Sequence, residues 1–160
     1  MKACLLLIKN RIVVMNERLS IWKAVNFLIE NIDKIKTVSE WSEICGYSKT
    51  YFLRKMQGNY GVSPDVMLRS IRLMKIVEEL HQNPQKISYA IARDVGLNND
   101  NSLCYFVRRY FGITPKKLKK RVRNYSSYVK MINDICNENN IPINSLVFEK
   151  SIEETKRLVA

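Results

Sequence analysis

The sequence predicts an all-α protein, two tandem helix-turn-helix units of three helices each joined by a long linker helix, and three observations carry that prediction. The chain is punctuated twice in the same way, by Tyr60-Gly61-Val62-Ser63-Pro64 and by Phe111-Gly112-Ile113-Thr114-Pro115. Each is a helix stop followed at once by a helix start: glycine supplies a left-handed C-cap, Ser or Thr caps the next N-terminus, and proline suits its first turn. Ahead of each mark lies a second repeated pattern, Ser42-Glu43-Ile44-Cys45-Gly46 followed by Phe52 and Met56, and Ala92-Arg93-Asp94-Val95-Gly96 followed by Leu103 and Val107. The small residue four positions before the glycine lets two helices approach, the glycine tolerates φ > 0 in the turn, and the later apolar residues plug the second helix onto the first. Finally, no segment sustains the polar–apolar alternation of a half-buried strand.

The elements follow in order. Residues 1–20 are expected to form an N-terminal arm; its apolar run, Ala3 to Ile8, is interrupted by Lys9 and Arg11, too short to span a membrane and without a cleavage signal. The first helix-turn-helix subdomain is placed at 21–62. Ile21, Ala24, Val25, Leu28, Ile29 and Ile32 recur at helical spacing, predicting a helix from Ile21 to Ile32. Thr37 and Glu40 form a capping box opening a helix over Val38 to Cys45, and Ser48 caps a third from Lys49 to about Asn59. The linker helix, within 63–82, starts at Pro64 and is expected to act as a rigid spacer, because Leu68, Ile71, Leu73, Ile76, Val77 and Leu80 are spread widely enough to face several neighbours. The second subdomain, 83–123, has helices expected near Ser88–Val95, over Asp100–Tyr110 with Asn98 as cap, and from Pro115 to about Tyr125. A tail over 124–160 carries Met131, Ile132, Ile135, Ile141, Ile143, Leu146 and Val147. Such a tail dimerises, contacts another protein or caps apolar surface, and capping demands least.

Composition narrows the chemistry. At 160 residues and 46% hydrophobic content the chain can fold as one ordinary domain or two small ones. A formal net charge of +12 implies an anionic partner, and its distribution favours nucleic acid over a solubility surplus. From Asn101 to Lys130 there is no Asp or Glu, whereas Arg108, Arg109, Lys116, Lys117, Lys119, Lys120, Arg121, Arg123 and Lys130 all fall there. Cys4, Cys45, Cys104 and Cys136 are scattered without a CxxC pair, and His81 is the only histidine. That spacing suits neither a zinc site nor a disulfide framework, and no glycine-rich phosphate loop joins a strand to a helix. The expectation is a cytoplasmic, non-enzymatic protein without metal or cofactor.

With these motifs in hand, the chain resembles the AraC/XylS type of bacterial transcription regulators. The matching residues are Gly46-Tyr47-Ser48-Lys49, Arg54, Gly61-Val62-Ser63-Pro64, Ile91-Ala92, Gly96-Leu97, Phe111 and Gly112-Ile113-Thr114-Pro115, within a stretch from about Ile21 to Arg123. The resemblance implies sequence-specific binding of double-stranded DNA, with two recognition helices in successive major-groove segments on one side of the duplex. Activation is favoured over repression, with RNA polymerase as a candidate partner. The chain is expected to lack the separate effector or dimerisation domain of many relatives and so to resemble the stand-alone members, whose output follows the amount of protein made.

The resemblance assigns DNA contact to Ser48, Lys49, Thr50, Leu53 and Arg54 in the first recognition helix. In the second it assigns Asn99, Asp100, Asn101, Cys104, Tyr105 and Arg108, with Arg109, Lys116, Lys117 and Lys120 on phosphates. Arg54 suits two-bond recognition of guanine, against the simpler reading of a phosphate clamp or solvated charge; Asn101 suits adenine or is only a first-turn residue. Tyr105 stands where relatives commonly have a basic residue, Asp100 brings negative charge toward the expected groove, and Leu53 either meets a thymine methyl or packs locally. The second helix is therefore expected to hold mainly phosphate and sugar, leaving sequence reading to the first. The rivals are a non-specific architectural nucleic-acid binder and an interaction protein that titrates another regulator.

Overall fold

A computed structural model describes residues 19–141. The arm before Leu19 and the tail beyond Ile141, including Ile143, Leu146 and Val147, lie outside the described residues. Among those described there are eight helices and no strand.

The first three helices are α1 (Ile21–Glu30), α2 (Val38–Ile44) and α3 (Lys49–Tyr60). α1 buries Ile21, Ala24, Val25 and Leu28 along one stripe. It stops two residues before the expected Ile32, where the Asn31 side chain donates to the Phe27 carbonyl at 3.0 Å and competes with continuation of the helix. Ile32 is buried in the turn that follows. The capping box at the start of α2 forms as expected: the Thr37 hydroxyl accepts from the Glu40 amide while the Glu40 carboxylate accepts from the Thr37 amide, both at 3.2 Å. Trp41 is fully buried, donates its indole N–H to the Ala24 carbonyl at 2.9 Å, and meets the Phe52 ring edge-on at 4.8 Å. Between α2 and α3, Gly46 adopts φ +79, and Ser42, the small residue four positions earlier, is buried.

Gly61 closes α3 in the left-handed conformation, φ +71, and Ser63 caps α4 (Pro64–Gln82), whose 19 residues span about 28 Å. The expected long linker helix is present, and it is also the centre of the core. Met67, Leu68, Ile71, Leu73, Met74, Ile76, Val77 and Leu80 are all buried, and so are Arg72, Glu78 and Glu79. Helices from both halves of the chain pack around it.

The second half comprises α5 (Ser88–Asp94), α6 (Asp100–Phe111), α7 (Pro115–Arg121) and α8 (Tyr125–Glu138). The α5–α6 turn repeats the α2–α3 turn, with Gly96 at φ +74 and Ala92 fully buried four residues before it. The cap of α6 is Asn99 rather than the expected Asn98: Asn99 Oδ1 accepts from the Ser102 amide at 2.8 Å, while Asn98 Oδ1 accepts from Lys36 Nζ at 2.8 Å. Gly112, at φ +66, ends α6, and the Thr114 hydroxyl accepts from the Lys117 amide at 3.3 Å to open α7. α7 ends at Arg121, short of the expected Tyr125, because Asn124 caps a separate helix by accepting from the Ser127 amide at 3.2 Å.

That helix, α8, accounts for the first part of the tail. Tyr128, Ile132, Ile135, Cys136 and, beyond its end, Ile141 are buried, and α8 lies along α4. His81 on α4 stacks on Tyr128 with ring centres 4.2 Å apart and planes 7° from parallel. Its Nδ1 lies 2.6 Å from the Val122 carbonyl, an acceptor only, so that nitrogen carries the proton and donates.

Candidate nucleic-acid interface

The same local chemistry exposes the second helix of each helix-turn-helix. In α3, Phe52 and Met56 are fully buried against the core, which turns Lys49, Thr50, Leu53 and Arg54 outward. The Arg54 guanidinium lies 5.9 Å from the centre of the Tyr51 ring and, among the described residues, pairs with no carboxylate. A planar cation resting on an aromatic face is held out from the helix without surrendering its donors. Leu53 is an exposed large hydrophobic, so the local-packing alternative leaves its surface unexplained. Ser48 is exposed too, but its hydroxyl accepts from the Tyr51 amide at 3.4 Å as the helix cap.

α6 repeats the arrangement. Leu103 and Val107 are fully buried, and Asn99, Asp100, Asn101, Tyr105 and Arg108 are exposed, with Cys104 half-buried beside them. Asn99 spends its side-chain oxygen on the Ser102 amide and hydroxyl, leaving its NH2 to face outward chemistry. Asp100 sits in the first turn, where a carboxylate complements the exposed amides and dipole of the helix start. Tyr105 is 66% exposed, and its hydroxyl accepts from Arg109 Nη1 at 3.5 Å. Arg109 also lies 5.6 Å from the Tyr110 ring centre. On α7, the buried Leu118 anchors the helix and leaves Lys116, Lys117 and Lys120 exposed. All fifteen candidate side chains therefore reach the surface at least in part.

Between the two halves lies a cleft of about 510 Å³ that the sequence did not single out. Lys36, Lys49, Arg69 and Arg72 contribute cations to its lining, against Asp65 as its one acidic residue. Arg69 also lies 5.3 Å from the Tyr110 ring centre and donates to Asn139 Oδ1 at 3.1 Å. Nothing local marks Lys36 or Arg69; only the packing of α4 brings them between the two exposed helices.

Three further titratable groups serve the fold. Burial pushes the Cys45 thiol up to about 12 and raises that of Cys136. Lys86 is raised by hydrogen bonds to Asp94 and Glu79, which fasten α5 to α4. Among the described residues no group of three His, Cys, Asp or Glu side chains is placed to hold a metal, and no helix is long and apolar enough to cross a membrane.

Comparison with known proteins agrees with this geometry. A helix-turn-helix domain family matches residues 41–121, half of the chain, from Trp41 at the core of the first unit to the end of α7. The multiple antibiotic resistance protein MarA of Salmonella typhimurium and that of Escherichia coli are each 23% identical over 103 residues, covering 64% of this chain and 80% of the relative. A crystal structure of a transcriptional regulator with an AraC-type DNA-binding domain, from Chromobacterium violaceum, superposes with a TM-score of 0.53 at 21% identity, over 63% of this chain and 89% of that one.

Proposed function

This chain belongs to the AraC/XylS family of helix-turn-helix DNA-binding transcription regulators, and from that membership we propose that it reads a two-part duplex sequence with α3 and α6 and activates transcription from it. One observation carries the reading. Two helices present hydrogen-bonding and cationic side chains outward while one shared core holds both of their inner faces. A general electrostatic binder needs only a positive surface, whereas two anchored helices with matching turns and glycine C-caps are what simultaneous groove entry requires.

Within this proposal Arg54 reads a base and Lys49 and Thr50 flank it, because a guanidinium can give two hydrogen bonds to one guanine edge. α6, with Asp100 and Tyr105 on its outer face, contributes Asn101 and Arg108 to the groove. Arg109, Lys116, Lys117 and Lys120 grip phosphates and supply affinity that is independent of sequence. Activation proceeds through contact with RNA polymerase bound beside the site.

Selection of bound fragments from random duplex DNA tests the reading. The expected result is one enriched motif of two halves, centred about one helical turn, or roughly 10 base pairs, apart. Equal recovery of unrelated sequences establishes an architectural binder instead. Failure to retain any duplex, together with a stable protein partner, establishes a titrating interaction protein. Transcription in vitro from a promoter carrying the selected motif then decides between activation and repression.

A further inference from the structure

The proposed reading needs α3 and α6 to meet two DNA segments at once, so whatever fixes the relation of these helices also fixes the DNA spacing they accept. Among the described residues, these contacts join the two halves of the chain. Lys36 donates to Asn98, Gly96 packs against the carbonyls of Ile32 and Ile35, and Arg72 reaches into both halves from the middle of α4. Lys86 fastens α5 to α4, but Glu79 and Asp94, which it pairs with, lie outside α1–α3.

Arg72 is only 7% exposed. Its Nε donates to the Val95 carbonyl at 2.8 Å and its Nη2 donates to the Ile35 carbonyl at 3.0 Å. Val95 is the C-cap of α5, where a helix leaves carbonyls without partners, and Ile35 lies in the loop between α1 and α2. No carboxylate lies within ion-pair distance of Arg72 among the described residues. The guanidinium is thus buried without a balancing acid, and two of its N–H donors go to backbone oxygens, one from each half. A planar fork holds its two acceptors at a fixed distance and angle, which the single nitrogen of lysine does not reproduce.

We infer that Arg72 is a positioning residue that sets the distance and rotation between α3 and α6, and thereby restricts binding to one spacing of the two DNA half-sites. It acts through Val95 and Ile35, since Val95-Gly96 is the turn that aims α6 and Ile35 precedes the start of α2. Moving one half-site by a single base pair displaces it by about 3.4 Å and turns it by roughly a tenth of a circle, which a clamped pair of helices cannot follow.

The test rests on the proposed function and begins from the two-part motif selected by the full chain. Duplexes with the half-sites one base pair closer, unchanged, or one and two farther apart are titrated with wild type, Arg72→Met and Arg72→Lys, and each half-site is also tested alone. Wild type is expected to lose about ten-fold in affinity for one base pair of displacement. Arg72→Met should lose about ten-fold on the matched spacing and discriminate the shifted ones by less than about three-fold, while binding each single half-site like wild type. Arg72→Lys, able to hold one carbonyl, should fall between. A folded Arg72→Met with the wild-type spacing profile overturns the assignment, and so does an equal loss on every spacing, which a merely weakened fold would give. If Arg72→Met does not melt cooperatively, Arg72→Lys and Arg72→Gln decide by the same comparison. A wild-type chain indifferent to spacing overturns the two-helix reading itself, and this outcome is recognisable because it needs no variant.

Discussion

Gly96→Ala and Gly112→Ala make the same chemical change at nearly the same backbone angle, φ +74 and φ +66, in different surroundings. An alanine in the left-handed region costs roughly 1–2 kcal/mol, partly offset by about 0.4–1 kcal/mol from a stiffer unfolded chain. At Gly112 nothing lies within 4 Å of the added Cβ, so about 1 kcal/mol is the whole effect. For a chain of 160 residues that is a melting-temperature drop of about 2–4 °C. At Gly96 the Cβ falls inside contact distance of the Ile32 carbonyl oxygen, with Ile35 O at 3.2 Å and Arg72 Nη2 at 3.4 Å. Two of these neighbours are backbone, so relief requires the halves to part, which stretches the Arg72 bonds. Losing one hydrogen bond from a charged donor adds about 1.5–3 kcal/mol, and the displaced packing more, for a total of at least about 3–4 kcal/mol and about 10 °C. Thermal melts followed by circular dichroism measure both variants. If Gly96→Ala melts within about 2 °C of Gly112→Ala, the two halves do not meet at Gly96, and the account of the turn as a seam fails.

Three further outcomes are expected. Arg54→Ala should cost about 1–3 kcal/mol on the selected site and relax preference at one base pair; an equal loss on every sequence makes Arg54 a phosphate contact. Reversing Arg108, Lys116 and Lys120 together to Glu should weaken binding to all duplexes and flatten the slope of log K against log salt by roughly 0.9 per lost contact, whereas an unchanged slope in a folded variant assigns this charge to solubility. In a Cys4→Ser background, alkylation at pH of about 8 should reach half-buried Cys104 on α6 and spare Cys45 and Cys136. Burial raises the latter two thiols and suppresses their thiolates, so their rapid reaction would contradict the core packing. Saturating duplex should then protect Cys104, and undiminished labelling places α6 outside the interface.

What the sequence made legible is what short-range chemistry decides. Ser48, Ser63 and Thr114 cap the helices they precede, Thr37 and Glu40 close their box, and Gly61 and Gly112 take the left-handed conformation their positions demand. Each involves residues within four positions of one another, so pattern and structure are nearly the same statement. The misplaced cap of α6 marks the limit. Asn98 and Asn99 are equivalent locally, and the choice between them is tied to Lys36, 62 positions away, whose ammonium takes the Asn98 oxygen. Arg72 was invisible for the same reason, because its acceptors are backbone carbonyls 23 and 37 positions distant and a carbonyl has no signature in sequence. The outward faces of α3 and α6 followed from the spacing of Phe52, Met56, Leu103 and Val107; the cleft holding Lys36 and Arg69 depends on how α4 seats both halves.

The burial pattern of α4 bears on how the two exposed helices α3 and α6 are held in one chain. A rod joining two independent units would need an apolar stripe only where each unit touches it, with a solvated face between. From Met67 to Leu80 only Arg69 and Lys75 are even partly exposed, and α2, α3, α5, α7 and α8 all pack on this one helix. Neither half closes a core without α4, so unfolding one strips apolar cover from the surface that the other needs. The relation between α3 and α6 is then set by the same packing that keeps the chain folded, rather than by a linker whose flexibility would have to be restrained on binding. On the proposed reading, a duplex of matched spacing would meet both helices already placed and demand little further ordering, while a mismatched one would have to deform the core or itself. On that reading, preorganisation of this kind would let a chain with two short reading surfaces discriminate by the distance between DNA elements as well as by their bases.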